Sequence, residues 1–330
     1  MATANQSTTV ALPHTISTGV LQPNSPVKSR LKPIFIGPNG VRAGWRLLIF
    51  FLLLSIPATA LFIMSHNQTA PSTPQTITPF LLSASDAITL AILAGAAFLM
   101  GKIERRKFRE YGLPLTQAFR REFWIGTLIG FSTITGTLFT LFLLHAYRVS
   151  GLALHGAAIC SSLAAWAGTF LLVGLFEEFA FRGYVQFTLG SGIGFWPAAT
   201  LLSALFGLGH LIADPNETLI GSTAVVLFGL LLSFFLRKTG TLWCAVGFHA
   251  AYDWGQTFFY GVPDSGITPY HNLLHSVMSG PAWLTGGIVG PEASIVTPVA
   301  LLIAALLFGR YYRSRRSHAG QTLPTQTVIS

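Results

Sequence analysis

Charge is what this sequence has least of. Only 9% of its 330 residues are Asp, Glu, Lys or Arg, against about 25% in an ordinary soluble domain. Cysteine is scarce as well: Cys160 and Cys244 are the only two, both inside apolar stretches. Two such residues supply no disulfide framework and no cysteine-rich zinc site, and each reads as a small buried hydrophobe. No internal repeat of fixed period is visible. What fills the chain instead is apolar: 51% hydrophobic residues and a mean hydropathy of +0.58, gathered in long uninterrupted blocks. This composition excludes a soluble globular enzyme, a nucleic-acid binder and a disordered protein. It specifies an all-α polytopic bundle of membrane helices.

Residues 1–40, rich in Ser, Thr, Pro and Asn, read as a disordered N-terminal tail, and 314–330 as a flexible C-terminal one. Between them, 41–313 form the bundle. The first apolar block begins at Trp45, too far in for an ordinary cleaved signal peptide. Eight spans are expected, near 45–64, 80–100, 123–144, 160–187, 196–212, 219–236, 242–260 and 294–312. The fourth reads as a longer, tilted helix. With this count, 19 of the 20 Lys and Arg residues fall on one side; Arg148 is the exception. Loops 65–79, 213–218 and 261–293 contain none. Positive-inside sorting then puts both termini in the cytoplasm, and the net charge of +9 faces anionic lipid rather than nucleic acid. The expected location is the plasma (inner) membrane, with the basic loop 102–121 against headgroups.

A charged side chain in the bilayer core costs about 2.5–3.5 kcal/mol, so each one needs a reason. Glu177 and Glu178 interrupt the apolar run from Gly168 to Phe181. Glu178 and Arg182 are spaced i, i+4 in the orientation that favours an ion pair, which would hold the fourth helix in place. Glu177 points about 100° away from Glu178 and has no basic residue one turn off. An unpaired carboxylate in low dielectric is a candidate general base. His249 and Asp253 also share a helical face. That spacing suits two metal ligands, a His oriented by a carboxylate, or a plain interhelical hydrogen bond. His210 ends the run from Trp196 to Gly209. These four residues come from three helices, and bundle cores assemble sites from facing helices in this way. Taking Arg182 as the inner interface puts Glu177 about 8 Å in, and His249 and Asp253 about 10 and 16 Å from Leu242. His210 falls out of line, about 21 Å from Trp196. Asp86 lies close enough to the outer end of its span to reach the interface. His271 and His275, in an outer loop, read as surface polar residues.

In order along the chain, three motifs emerge: Glu177-Glu178-Phe-Ala-Phe-Arg182, Phe206-Gly-Leu-Gly-His210 and His249-Ala-Ala-Tyr-Asp253. Together they resemble those of the CPBP family of intramembrane proteases, the Abi or type II CAAX prenyl endopeptidase group. The resemblance covers roughly 160–260 and implies a protease core within an eight-helix membrane bundle. It implies that Glu177 and His210 activate a water, and that His249 and the residue at 253 stabilise the oxyanion. Phe206, Glu178 and Arg182 enter as motif residues. The prenyl-protein branch has Asn where this chain has Asp253, and an ionised Asp accepts hydrogen bonds but does not donate them. Asp253 can instead orient His249, act protonated, or join Glu177, His210 and His249 around a divalent metal such as zinc. The family has been described both as metalloproteases and as metal-independent glutamate proteases, and both readings stay open here. His-Glu-x-x-His, Gly-x-Gly-Asp and Gly-x-Ser-Gly are missing, which speaks against site-2, presenilin and rhomboid chemistry. The expectation is an endopeptidase acting in the cytosolic half of the bilayer on a membrane-anchored or membrane-spanning protein. A non-catalytic membrane scaffold is the competing reading, with a transporter behind it.

Overall fold

The computed structural model describes residues 35–37, 40–66, 78–268 and 270–321. Most of the 1–40 tail and the last nine residues, 322–330, therefore lie outside the described residues. The chain forms two units, Met1–Val41 and Arg42–Ser330. In the first, β1 (Ile36–Gly37) pairs antiparallel with β2 (Gly40–Val41).

The second unit is the helical bundle. It runs through α1 (Ala43–His66), α2 (Pro79–Glu104), α3 (Arg121–Leu143), α4 (Ala157–Arg182), α5 (Tyr184–Ile193) and α6 (Phe195–Ala213). It continues through α7 (Leu219–Thr239), α8 (Trp243–Trp254), the short α9 (Ala282–Thr285) and α10 (Val296–Gln321). Local chemistry sets the ends. Thr78 and Thr218 cap α2 and α7 by accepting from the amides of Leu81 and Gly221, and Pro79 opens α2 where no amide bond is lost. Gly240, at φ 76°, closes α7.

Seven stretches among the described residues are long and apolar enough to cross a membrane. Leu48, Phe51, Leu52 and Ile56 of α1 and Leu302, Leu306 and Leu307 of α10 point outward, as lipid-facing side chains do. The chain is an integral membrane protein. Three segments differ from the sequence reading. The fourth span is two helices, α4 and α5, broken at Gly183 where ψ is −124°. The segment 242–260 is only the 12-residue α8, followed by a five-residue π-helical turn, Gly255–Phe259. Every residue of α8 from Trp243 to Asp253 is buried, because α3, α4 and α7 pack around it. The helix and the turn together still carry the chain from the basic end, where the Leu242 amide donates to the Gly112 carbonyl, to the ribbon end, where the Phe258 carbonyl accepts from the Leu273 amide. They do so as a central element without lipid contact along α8. Finally, α10 continues as helix past Arg313 to Gln321.

Glycine sets the tightest crossing. A Cβ on Gly126 or Gly130 of α3 would lie 2.0 Å from the Cys244 carbonyl oxygen or 2.2 Å from that of Phe248. Gly247 of α8 returns the same approach, 2.2 Å from the Phe123 carbonyl oxygen. Small residues one turn apart let two membrane helices touch backbone to backbone. At the basic end, Glu104 of α2 takes Arg46 of α1 and the hydroxyl of Tyr184 of α5, tying three helices. At the other end, β3 (Tyr147–Leu152) and β4 (Leu274–Met278) form an antiparallel ribbon from Tyr147↔Met278 to Leu152↔Leu274, with a bulge between Val149 and Gly151.

Candidate active site

His249 is the hub. Its Nε2 stands 3.4 Å from Oδ2 of Asp253, one turn along α8, and 3.6 Å from Oε2 of Glu177 on α4. Its Nδ1 is 2.9 Å from Glu178 Oε1, which also accepts from Arg182 Nη1 at 3.1 Å. A carboxylate oxygen shared by two donors means that Nδ1 carries a proton and that the ring is fixed in orientation. The pair Glu178–Arg182 thus does more than tie α4 to itself: it reaches across to α8 and aims the imidazole. Both side chains are fully buried. Gly229 of α7 makes room for the guanidinium, since a Cβ there would sit 2.4 Å from Arg182 Nη2. Phe206 of α6 lays its ring 5.0 Å from the same guanidinium, a cation–π contact in a dry interior.

The carbonyl of Phe206 accepts from His210 Nδ1 at 3.0 Å. In the neutral ring this leaves Nε2 of His210 with its lone pair free. His210, Glu177, His249 and Asp253 all line one cavity of about 140 Å³. Among the described residues no hydrogen bond or ion pair joins His210 to the other three. It reaches the cavity from three residues before the end of α6. The structure brings the four together in one space and brings three of them into direct contact.

Three further carboxylates line the same cavity: Asp86 of α2, and Asp264 and Glu292 of the segment between α8 and α10. Asp86 differs from expectation. It is 8% exposed and faces the cavity rather than the interface. Asp264 is buried and accepts from Thr257 Oγ1 at 2.9 Å. Burial first, and then the neighbouring carboxyls of Asp253 and Glu292, hold its pKa well above the ordinary range. Glu292 accepts from Gln256 Nε2 at 2.9 Å and from the Ser265 amide at 2.6 Å, so the π-helical turn pins the segment that covers the cavity. Nothing in the local sequence marks Asp264 or Glu292, which sit in a loop without motif or periodicity. Asp86 did carry a signal, as a charge inside an apolar run.

The depth scale also changes. Arg182 is 2% exposed, inside the bundle, and marks no interface. The lining between α8 and α10 comes from Asp264, Ser265, Ile267 and Glu292, all in the loop 261–293 that lacks Lys and Arg. No lining residue comes from the basic loop 102–121. The cavity therefore lies toward the basic-poor end, not the basic end that the sequence reading favours.

Among the described residues, no group of three or more His, Cys, Asp and Glu side chains is arranged to hold a metal ion. His271 and His275 are both exposed, as the sequence suggests. His271 sits in a left-handed turn at φ 53°, and His275 lies on β4 with Nδ1 2.6 Å from Ser150 Oγ. Cys244 is buried as expected, whereas Cys160 is exposed on α4.

Comparison with known families bears on the segment that carries the site. No match to a curated protein was found. Residues 159–255, which contain Glu177, His210, His249 and Asp253, match the family model for Type II CAAX prenyl endopeptidase Rce1-like proteins, and the CPBP resemblance drawn from the three motifs is borne out over that core.

Proposed function

We propose that this protein is an intramembrane endopeptidase in which Glu177 is the general base. The observation that carries the reading is the convergence of Glu177, His249 and Asp253 within 3.6 Å of one imidazole nitrogen, on a cavity that His210 also lines. A water between Glu177 and the scissile carbonyl gives its proton to the carboxylate as its oxygen attacks the carbonyl carbon. His249, aimed by Glu178, donates from Nε2 to the oxyanion. Glu177 then returns the proton to the departing amine as the C–N bond breaks. His210 accepts from the water through its free Nε2. Asp253 lies beside the His249 Nε2–H and holds it in place between attacks. No step runs through a metal, so treatment with a chelator leaves activity unchanged. Loss of activity on chelation and its return with zinc would sink the metal-free mechanism.

The substrate is a membrane-anchored or membrane-spanning protein, and the membrane is the plasma (inner) membrane. It is reached from the face built by 261–293. With the positive-inside orientation, that face is non-cytoplasmic.

The test compares protein termini by mass spectrometry in cells lacking the gene, cells complemented with the native chain, and cells complemented with Glu177→Ala at matched membrane levels. New termini that need both the gene and Glu177 support the reading. If Glu177→Ala restores every lost phenotype and no terminus depends on it, the polar cluster serves helix packing and the protein is a scaffold.

A further inference from the structure

The chain has 20 basic and only 11 acidic residues, yet five of those 11 line one cavity: Asp86, Glu177, Asp253, Asp264 and Glu292. No Lys or Arg lines it. Four of the five are accounted for within the fold. Glu177 and Asp253 face His249 Nε2, Asp264 accepts from Thr257, and Glu292 accepts from Gln256 and the Ser265 amide. Asp86 is not. It is 8% exposed, and its Oδ2 is buried with no hydrogen-bond partner among the described residues. It stands on α2, outside the matched segment 159–255, and the mechanism above does not use it. A buried carboxylate oxygen without a donor is destabilising, and one facing a cavity is completed by whatever enters. The same cavity is lined by apolar Leu82, one turn before Asp86 on α2, and by Phe170 and Val173 of α4. An aliphatic stem ending in a cation fits that combination.

We propose that Asp86 is a cation subsite of the catalytic cavity and takes the ammonium or guanidinium of a Lys or Arg in the substrate, with the side-chain stem against Leu82, Phe170 and Val173. The word substrate rests on the protease reading; the cation site does not. A metal ion is the poorer occupant, because among the described residues no group of three or more His, Cys, Asp and Glu side chains is arranged to hold one.

Two measurements separate the claims. In the first, the full chain in detergent is titrated with n-butylguanidinium and with its uncharged counterpart n-butylurea, and thermal unfolding is followed. Saturable stabilisation by the cation alone is expected. Asp86→Asn should weaken it about tenfold or more, the scale of losing a charge-assisted hydrogen bond, while Asp86→Glu retains it. Equal responses to the two probes, or a cation response unchanged in Asp86→Asn, overturn the proposal. The first of these needs no variant and so decides even where Asp86→Asn fails to fold. In the second, the native chain is presented with a randomised peptide library, and the cut sites are read by mass spectrometry. Lys or Arg enriched at one fixed position, with the enrichment lost in Asp86→Asn, supports the subsite. Peptides cut with no basic preference overturn it and leave the protease reading standing. Cation binding without cleavage of any peptide, in contrast, supports the subsite and removes the protease reading.

Discussion

Glu178 illustrates how much a single buried residue decides. Its Oε1 serves Arg182 and His249 together, and the side chains of Glu178 and Arg182 have no solvent exposure. Arg182→Met leaves that carboxylate with only the imidazole, which should cost about 3–5 kcal/mol, the price of a buried charge without its partner. Adding Glu178→Leu should recover much of this stability, because no uncompensated charge remains. Activity should stay lost in the double variant, since His249 Nδ1 has no acceptor to aim it. Thermal unfolding beside the terminus assay separates the two effects. A double variant as active as the native chain would show that the network only packs.

Asp264 gives the matching prediction in pH. Burial and the neighbouring carboxyls hold its folded-state pKa well above the ordinary carboxylate range. The folded form therefore holds the proton that the unfolded chain gives up near pH 4, roughly the reference value. The stability this provides is complete below that value and declines as pH rises through the folded pKa. Asp264→Asn should flatten the fall in melting temperature as pH rises above about 4. An unchanged profile would mean that Asp264 does not carry this pH dependence.

At the scale of elements, the position of α8 depends on hydrogen atoms. Gly126 and Gly130 meet carbonyl oxygens of α8 where a methyl group has no room, and His249 follows directly after Phe248 in the same turn. Gly130→Ala should push α8 away and lower stability by about 1–3 kcal/mol, the usual range for overpacking, with a larger loss of activity as His249 leaves Glu177. Gly136, on the same α3, has nothing within 4 Å of the equivalent Cβ, so Gly136→Ala is the control and should be nearly neutral. Equal effects of the two substitutions would remove the crossing from the explanation. The same element shows what hydropathy leaves open at 242–260: a central helix and a lipid-facing helix are equally apolar, and periodicity does not tell them apart.

At the scale of the whole molecule, the cavity lies toward the basic-poor end, lined there by Asp264, Ser265, Ile267 and Glu292. Ser265 is exposed, so Ser265→Cys in a Cys160→Ser background should react with a membrane-impermeant maleimide on intact cells. The termini found by mass spectrometry should correspondingly map to non-cytoplasmic segments of their parent proteins. Labelling only after lysis would reverse the orientation.

The sequence by itself determined the membrane bundle, the motif residues and the Glu178–Arg182 pair. Each follows from local rules: a long apolar run must hydrogen-bond its own backbone as helix in lipid, and residues four apart share a face. Tertiary structure alone decided the rest. Whether Glu177 meets His249, whether Asp86 faces lipid or a cavity, and that Asp264 and Glu292 close the same space all depend on helix rotation and packing. Those are set by contacts between distant segments, such as Gly130 against Phe248 and Gln256 against Glu292, and no local pattern encodes them.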